Sequence, residues 1–131
     1  MVTNFDRKRV ATMANRIHEA HPTLKKSEYF KRAWDLYWFR QMLLNGIAHF
    51  RYWKVNKKLV NIELRHPSVL REARGTLLMD VIPEAKRPKG GPYRYPNFGT
   101  MSYYDLDKDD WRSFDVTRFD GIMRFIPKLR K

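Results

Sequence analysis

The chain has 131 residues, of which 27 are lysine or arginine and 14 are aspartate or glutamate, so its formal net charge is +13. This length predicts one domain, or one small domain with an appendage, and a hydrophobic fraction of 43% with 15% aromatic residues argues against wholesale disorder. The lack of cysteine excludes disulfides, cysteine nucleophiles and thiolate metal sites. The charge favours polyanionic partners such as RNA, DNA, a ribonucleoprotein or an acidic protein, and a solvated basic surface is the alternative.

The chain carries no visible targeting or membrane-spanning segment. Residues 1–9 are mostly polar or basic and lack the apolar core of a signal peptide. No apolar run approaches the roughly 18 residues that a membrane helix needs. We therefore expect a soluble, cytoplasmic protein without a membrane partner.

A first helix is predicted close to the N-terminus. Asn4 or Asp6 can cap a segment that runs to about Ala20, within which apolar residues recur at helical spacing. His21 precedes a proline, and the residue before proline is disfavoured in the helical region, so the helix should end there.

A second helix is predicted after a short connection. Ser27 is a favourable N-cap, and the pair Asn45-Gly46 supplies a C-terminal stop. The short connection predicts that the two helices form a hairpin over residues 1–46. The second helix carries more aromatic residues than one buried stripe can hold, so Trp38 or Phe39 is predicted to contact a partner protein.

From residue 47 onward, apolar and polar side chains alternate with a period of two, which is typical of strands. Gly75 is expected to mark a bulge or a close backbone approach. Asp107–Asp110 is expected to form a hairpin turn, and residues 83–99 a long loop that is functional or mobile. The predicted strands cover residues 47–53, 59–64, 71–81, 100–106, 111–117 and 122–126.

Short strands at this spacing suggest a small twisted barrel. The predicted fold class is therefore α+β, with the helical hairpin of residues 1–46 followed by an antiparallel β-barrel at residues 47–131. Trp111 and Phe114 have opposite parity on one strand, so one of them should lie in the core and the other on the opposite face.

Motifs spread over most of the chain carry a family resemblance. They are Phe50, Tyr52 and Lys54; Arg74-Gly75-Thr76-Leu77; Ile82-Pro83 with Arg87-Pro88; Tyr103-Tyr104-Asp105; Trp111-Arg112-Ser113-Phe114; and Ile122. Together they resemble a family of small phage and mobile-element proteins of Bacteroidetes with SH3-like, or Sm-like, β-barrels, related by name to the WYL domain. The predicted helical hairpin of residues 1–46 resembles that family too. The segment of residues 61–70, in contrast, is longer than the turn that usually joins the first strands in that family.

The resemblance implies an SH3-like barrel and a binding role. WYL domains are associated with ligand or nucleic-acid sensing, Sm-like barrels often bind RNA, and small basic phage proteins include inhibitors of host defence such as anti-CRISPR proteins. We therefore expect a phage or prophage protein in the bacterial host cell that binds nucleic acid, with RNA favoured over DNA, or a host ribonucleoprotein. A specific version inhibits an RNA-guided effector or binds its guide RNA. The alternative is an interaction module that recognises an acidic protein surface without nucleic acid.

Basic and aromatic residues interleave in the strand–loop region and decorate the second helix. Cations bind phosphates while aromatic faces stack on unpaired bases, a combination that suits single-stranded nucleic acid. The predicted binding residues are Arg71, Arg74, Lys86, Arg87, Lys89, Tyr93, Arg94, Tyr95 and Arg112, with Lys25, Lys26, Lys31 and Arg32 on the helix. The competing interpretations are a solvated loop, an ordinary polar helix face and, for Arg112, an ion pair with Asp105 or Asp115.

No motif for a reaction is present. The four aspartates between positions 105 and 110 lack the ligand series, the glycine and the final glutamate of an EF-hand loop, so a hairpin turn is favoured there. The four histidines are scattered without metal-ligand spacing, and the chain has no phosphate-binding loop or serine elbow. We expect no catalytic residue, no metal and no cofactor.

Overall fold

A computed structural model describes residues 2–55, 68–89 and 99–128. Its elements are α1 (Asn4–Ala20), α2 (Lys26–Asn45), β1 (Gly46–Val55), β2 (Ser68–Thr76), β3 (Thr100–Asp105), β4 (Asp110–Asp115) and β5 (Phe119–Pro127), with single 3-10 turns at Glu84–Lys86 and Val116–Arg118. The strands form one antiparallel sheet in the order β4-β3-β2-β1-β5. The predicted α+β class, a helical hairpin followed by an antiparallel β domain, is confirmed.

α1 begins with a reciprocal cap at a residue other than the predicted Asn4 or Asp6. Thr3 is the N-cap: its hydroxyl accepts from the amide of Asp6 at 3.1 Å, and the Asp6 carboxylate accepts from the amide of Thr3 at 2.9 Å. Asn4 and Asp6 are therefore inside the helix, and Asp6 serves the cap from the third helical position. The helix ends before His21, as predicted, where the amide of His21 donates to the carbonyl of Ile17 at 2.8 Å.

α2 begins one residue before the predicted cap. Its N-cap is Lys25, which makes no side-chain capping bond, and Ser27 is already helical. Leu24 packs against the core just before the helix, so packing positions the helix start and overrides the capping preference. The predicted end at Asn45-Gly46 is confirmed. A Cβ atom on Gly46 would lie 2.2 Å from the carbonyl oxygen of Ile126, so only glycine lets β5 approach this closely.

The hydrophobic core lies between the helical hairpin and the inner face of the sheet. Phe39 is 0% exposed, and its ring lies 4.7 Å from the ring of Phe50 and 4.9 Å from that of Phe119. The prediction that Phe39 contacts a partner is therefore wrong. Leu36, Phe39 and Leu43 share one helical face by their spacing, and that face is the one that meets the sheet.

β2 is shorter at its C-terminal end than predicted. The hydroxyl of Thr76 donates to the carbonyl of Gly46 at 2.8 Å, and the amide of Leu77 donates to the carbonyl of Leu43 at 2.8 Å. These bonds take the chain out of the sheet and tie it to the end of α2. The predicted strand at residues 59–64 lies outside the described residues.

Gly75 marks a close approach, as expected. A Cβ atom there would lie 2.7 Å from a ring carbon of Tyr103 and 3.1 Å from one of Phe50. Trp111 and Phe114 on β4 were predicted to point to opposite faces of the strand. Phe114 is buried in the core, while Trp111 packs edge-on against Tyr104 with ring centroids 5.6 Å apart. The two side chains thus serve different faces of the sheet.

The hairpin predicted around the acidic segment is confirmed, with its turn one residue earlier than expected. Asp105 and Asp110 pair at the ends of β3 and β4, and Leu106–Asp109 form the turn. The Asp105 carboxylate accepts from the amides of Asp107 and Lys108 at 3.0 and 3.1 Å. This carboxylate therefore closes the turn, a role typical of aspartate.

β5 extends further at both ends than predicted and is one edge of the sheet. It begins directly after the 3-10 turn at Val116–Arg118. No helix in the described part of the chain is long and apolar enough to cross a membrane.

Candidate functional site

Two of the cations predicted to bind phosphate are held by the acidic hairpin instead. Arg71 donates to Asp105 at 2.8 Å, and the side chains are 16% and 1% exposed. Arg74 donates to Asp107 at 2.7 Å, with about half of each side chain exposed. Arg71 is therefore part of the folded interior, whereas Arg74 keeps a solvent-facing surface but shares its charge with a carboxylate.

The hydroxyl groups of two tyrosines lie beside Arg71. Tyr52 and Tyr103 form a hydrogen bond of 2.8 Å between their hydroxyl oxygens in the core. Burial raises the pKa of Tyr103 far above its usual value, and the hydrogen bond with Tyr52 raises it further. Tyr103 therefore stays neutral at physiological pH, and its hydroxyl takes part in this buried hydrogen bond.

The 3-10 segment that carries Lys86 and Arg87 is tied to the sheet. Lys86 lies 3.8 Å from the carboxylate of Asp110, and its carbonyl accepts from the indole nitrogen of Trp111 at 2.6 Å. Arg87 donates to the carbonyl of Ile82 at 2.8 Å. Lys89 is exposed at the end of this described range. Three predicted binding cations, Arg71, Arg74 and Lys86, thus have aspartate partners from the same hairpin.

The remaining predicted residues of the strand–loop region are three loop residues and Arg112. Tyr93, Arg94 and Tyr95 lie outside the described residues. Arg112 is half-buried on β4, and neither carboxylate proposed as its partner is paired with it. Asp105 binds Arg71, and Asp115 binds Arg16 at 3.1 Å.

The second helix presents its predicted cations to solvent. Lys25, Lys26 and Arg32 are exposed, and Arg32 forms no ion pair with another described residue. Lys31 lies 3.4 Å from the carboxylate of Asp35, one turn along the helix. Both of these side chains are mostly exposed, so the pair contributes little to stability.

A groove of about 530 Å³ lies between α2 and the start of β5. It brings together residues that are far apart in sequence, among them Lys31, Arg32, Trp38, Trp53, Asp120 and Ile122. Trp38 from α2 is 50% exposed, and Trp53 from β1 is 42% exposed. The ring of Tyr37 packs edge-on against Trp38 with centroids 4.9 Å apart, which restrains the exposed indole.

The groove mixes charges of both signs. Asp120 pairs with Arg51 at 3.0 Å on the β5 side, opposite the pair of Lys31 and Asp35 on α2. His21 also lines the groove, with its Nε2 atom 3.2 Å from the carbonyl oxygen of Thr117. The lining can therefore stack on flat apolar rings, donate hydrogen bonds and accept them.

Trp53 is a site residue that the sequence analysis missed. On β1, Ala48, Phe50 and Tyr52 are buried, so the alternation places Trp53 on the other parity of the strand. A tryptophan at a solvent-facing strand position is an unusual exposed apolar surface and was an available signal. Its position in the same groove as Trp38 could not be inferred, because that depends on how α2 crosses the sheet.

Residues 69–120 match the family model described as WYL_2, Sm-like SH3 beta-barrel fold. No curated protein and no solved structure matches the chain. The match runs from β2 through the acidic hairpin to the start of β5 and includes Gly75 and Trp111. The two helices of this chain are therefore followed by a small β domain that is similar to the SH3-like fold of WYL_2 over residues 69–120.

Proposed function

We propose that this protein is a non-enzymatic binding protein that takes single-stranded nucleic acid, RNA in preference to DNA, into the groove between α2 and β5. One observation carries the proposal: half-exposed Trp38 and Trp53 line the same groove as Lys31 and Arg32. Stacking of a base on an aromatic side chain is worth about 1–3 kcal/mol, and nearby cations contact the phosphates.

The charge distribution supports this use of the groove. The chain carries a net charge of +13, yet Arg71, Arg74 and Lys86 are engaged by aspartates of the hairpin. Exposed cations at the start of α2, Lys25 and Lys26, continue the basic surface from Arg32. We place the phosphates along this surface and the bases against the tryptophans, because phosphates favour solvated cations while bases favour apolar surface.

The preference for RNA rests on the Sm-like resemblance and on the groove's hydrogen-bonding groups, which could contact a 2′-hydroxyl. Within this proposal the protein is a phage or prophage product, and a host ribonucleoprotein is a natural target. Inhibition of an RNA-guided effector, or binding of its guide RNA, is the most specific form of the proposal. A small chain with this charge and no reaction motif is suited to such a role.

The direct test is fluorescence anisotropy with labelled single strands of about 12 nucleotides, RNA and DNA of one sequence, at about 50 and 200 mM salt. Binding should be tighter to RNA and should weaken with salt. Trp38→Ala and Trp53→Ala should each weaken binding on the order of tenfold. Phe5→Ala removes an exposed aromatic ring elsewhere and should leave affinity unchanged.

Two variants with the same change in net charge distinguish binding in the groove from binding that depends only on the overall charge. Arg32→Ala and Lys108→Ala each remove one exposed cation, but only Arg32 lines the groove. The Arg32 variant should lose more affinity than the Lys108 variant. Equal losses would assign binding to net charge alone. Nucleic-acid cleavage that co-purifies with the protein and depends on a metal would contradict the non-enzymatic part of the proposal.

A second candidate, recognition of an acidic protein, is favoured by the exposed side of β5. Ile122, Met123 and Ile126 are 36%, 47% and 48% exposed on this edge strand. Arg124 lies between Met123 and Ile126, and Lys128, which pairs with Asp80, follows the strand. Apolar side chains flanked by cations suit a partner with an acidic rim. A pull-down from host lysate with and without nuclease separates the two candidates, because a protein partner alone is retained after nuclease treatment.

A further inference from the structure

The groove offers hydrogen-bond acceptors on both of its walls. Asp35 lines it from α2 and Asp120 lines it from β5. Each carboxylate uses Oδ2 for its ion pair, Asp35 with Lys31 and Asp120 with Arg51. The side chains are 52% and 28% exposed, so a ligand in the groove can reach them.

Asp35 lies next to a stacking surface. It precedes Trp38 by three positions on α2, so the two side chains are neighbours on one face of the helix. A base that stacks on Trp38 therefore has a carboxylate beside its edge. Across the groove, Asp120 is next to Gly121, which also lines the groove and has no side chain to fill it.

These carboxylates constrain how a nucleic acid can enter. A phosphate placed between Asp35 and Asp120 would be repelled by both, so the base has to occupy the interior and the phosphate the rim. Inside, a carboxylate only accepts hydrogen bonds. It therefore pairs with an amino group on a base edge and repels a base carbonyl at the same position.

We propose that the groove selects bases that carry an amino group on the pairing edge, so that it prefers cytosine to uracil. This inference rests on the proposed function and names its base specificity. Cytosine presents an N4 amino donor, the group that aspartate and glutamate recognise, where uracil presents a carbonyl oxygen. The two bases have the same ring size and the same phosphates, so stacking and charge are nearly constant between them.

The test compares labelled oligocytidine and oligouridine of about eight nucleotides with the full chain, by anisotropy at one salt concentration. We expect oligocytidine to bind roughly tenfold more tightly, the lower part of the range for a specific base contact. If neither oligocytidine nor oligouridine binds, the proposed function is overturned as well. Equal affinities, or tighter binding of oligouridine, would overturn the base specificity and leave the proposed function standing.

Variants assign the specificity to the carboxylates. Asp35→Asn and Asp120→Asn keep the side-chain shape but add an amide donor that can pair with a uracil carbonyl. The affinity ratio between the two oligonucleotides should fall toward one, even if both bind more tightly because negative charge is removed. Glu84→Gln makes the same charge change outside the groove and should leave the ratio unchanged. An unchanged ratio in both aspartate variants would overturn the assignment.

Discussion

Arg71 on β2 donates to Asp105 at the end of β3 over 2.8 Å, and the carboxylate that receives this bond is 1% exposed. The same carboxylate accepts from two amides of the turn that follows. One aspartate therefore closes the hairpin and anchors the neighbouring strand. This contact explains why a cation that looked suited to phosphate binding is part of the architecture.

The first prediction concerns this anchor. Asp105→Ala should destabilise the protein by about 3 kcal/mol, because it leaves Arg71 without its partner in a mostly buried place and removes the acceptor of the turn. Asp105→Asn keeps an acceptor for the turn and should cost less. Urea unfolding of both variants measures the difference. A loss below about 1 kcal/mol for the alanine variant would show that the ion pair is solvated.

The second prediction separates the core from the candidate site on one helix. Phe39→Ala should lower the free energy of unfolding by about 3–5 kcal/mol, the usual cost of removing a buried phenylalanine. Trp38→Ala, one position earlier, should change stability little because its indole is 50% exposed, but should weaken nucleic-acid binding. Chemical denaturation and anisotropy on the same two variants check this. A large loss of stability in the Trp38 variant would make its binding defect uninterpretable and would contradict its placement.

A third prediction tests the close approach at Gly75. Gly75→Ala puts a methyl group 2.7 Å from the ring of Tyr103 and 3.1 Å from the ring of Phe50, both buried in the core, and should cost about 1–3 kcal/mol. Gly121→Ala is the matched control. A methyl group at position 121 meets no described atom within 4 Å, so the thermal midpoint of the Gly121→Ala variant should stay close to that of the unaltered chain. Equal effects of the two substitutions would contradict the packing at Gly75.

The fourth prediction is a pH dependence. Burial alone would raise the pKa of Asp115, but the amide and hydroxyl of Thr117 and the guanidinium of Arg16 hold it below its usual value. A carboxyl whose pKa is lower in the folded than in the unfolded state stabilises the fold above the unfolded pKa. That stability is lost as the pH falls through the folded pKa.

Hydrogen bonds and ion pairs also lower the pKa of Asp6, Asp80 and Asp107. For Asp6 the largest contribution is the hydrogen bond from the amide of Thr3. Thermal stability should therefore decline below about pH 4. Asp115→Asn should flatten part of that decline, measured by circular dichroism melts across pH. A variant whose melting temperature falls as steeply as that of the unaltered chain would contradict the role of Asp115.

Local sequence rules located most of the elements. The ends of α1 and α2 follow from His21 before proline and from Asn45-Gly46, because these residues act on the backbone next to them. The acidic hairpin follows from an aspartate cluster between two alternating segments. A glycine inside a predicted strand, as at position 75, indicates a bulge or a close backbone approach, because glycine weakens a strand, and the structure shows the close approach.

The candidate site could not be located in this way. Whether Trp38 or Phe39 meets the sheet depends on the rotation of α2, and the many aromatic residues of that helix leave the rotation open. The aspartate partners of Arg71 and Arg74 depend on strand order and register, which place β2 beside β3. Charge counted along the sequence therefore overstated the binding surface near the hairpin and missed the groove that Trp53 completes.

The most direct test of the central claim is the affinity of the purified chain and of Trp38→Ala/Trp53→Ala for one labelled single-stranded RNA, with Phe5→Ala as control. The account predicts salt-sensitive binding that the double variant loses and the Phe5 variant keeps, while all three proteins remain folded by circular dichroism. Undiminished binding by the folded double variant would contradict the groove as the site, and no binding by the unaltered chain would contradict nucleic-acid recognition itself.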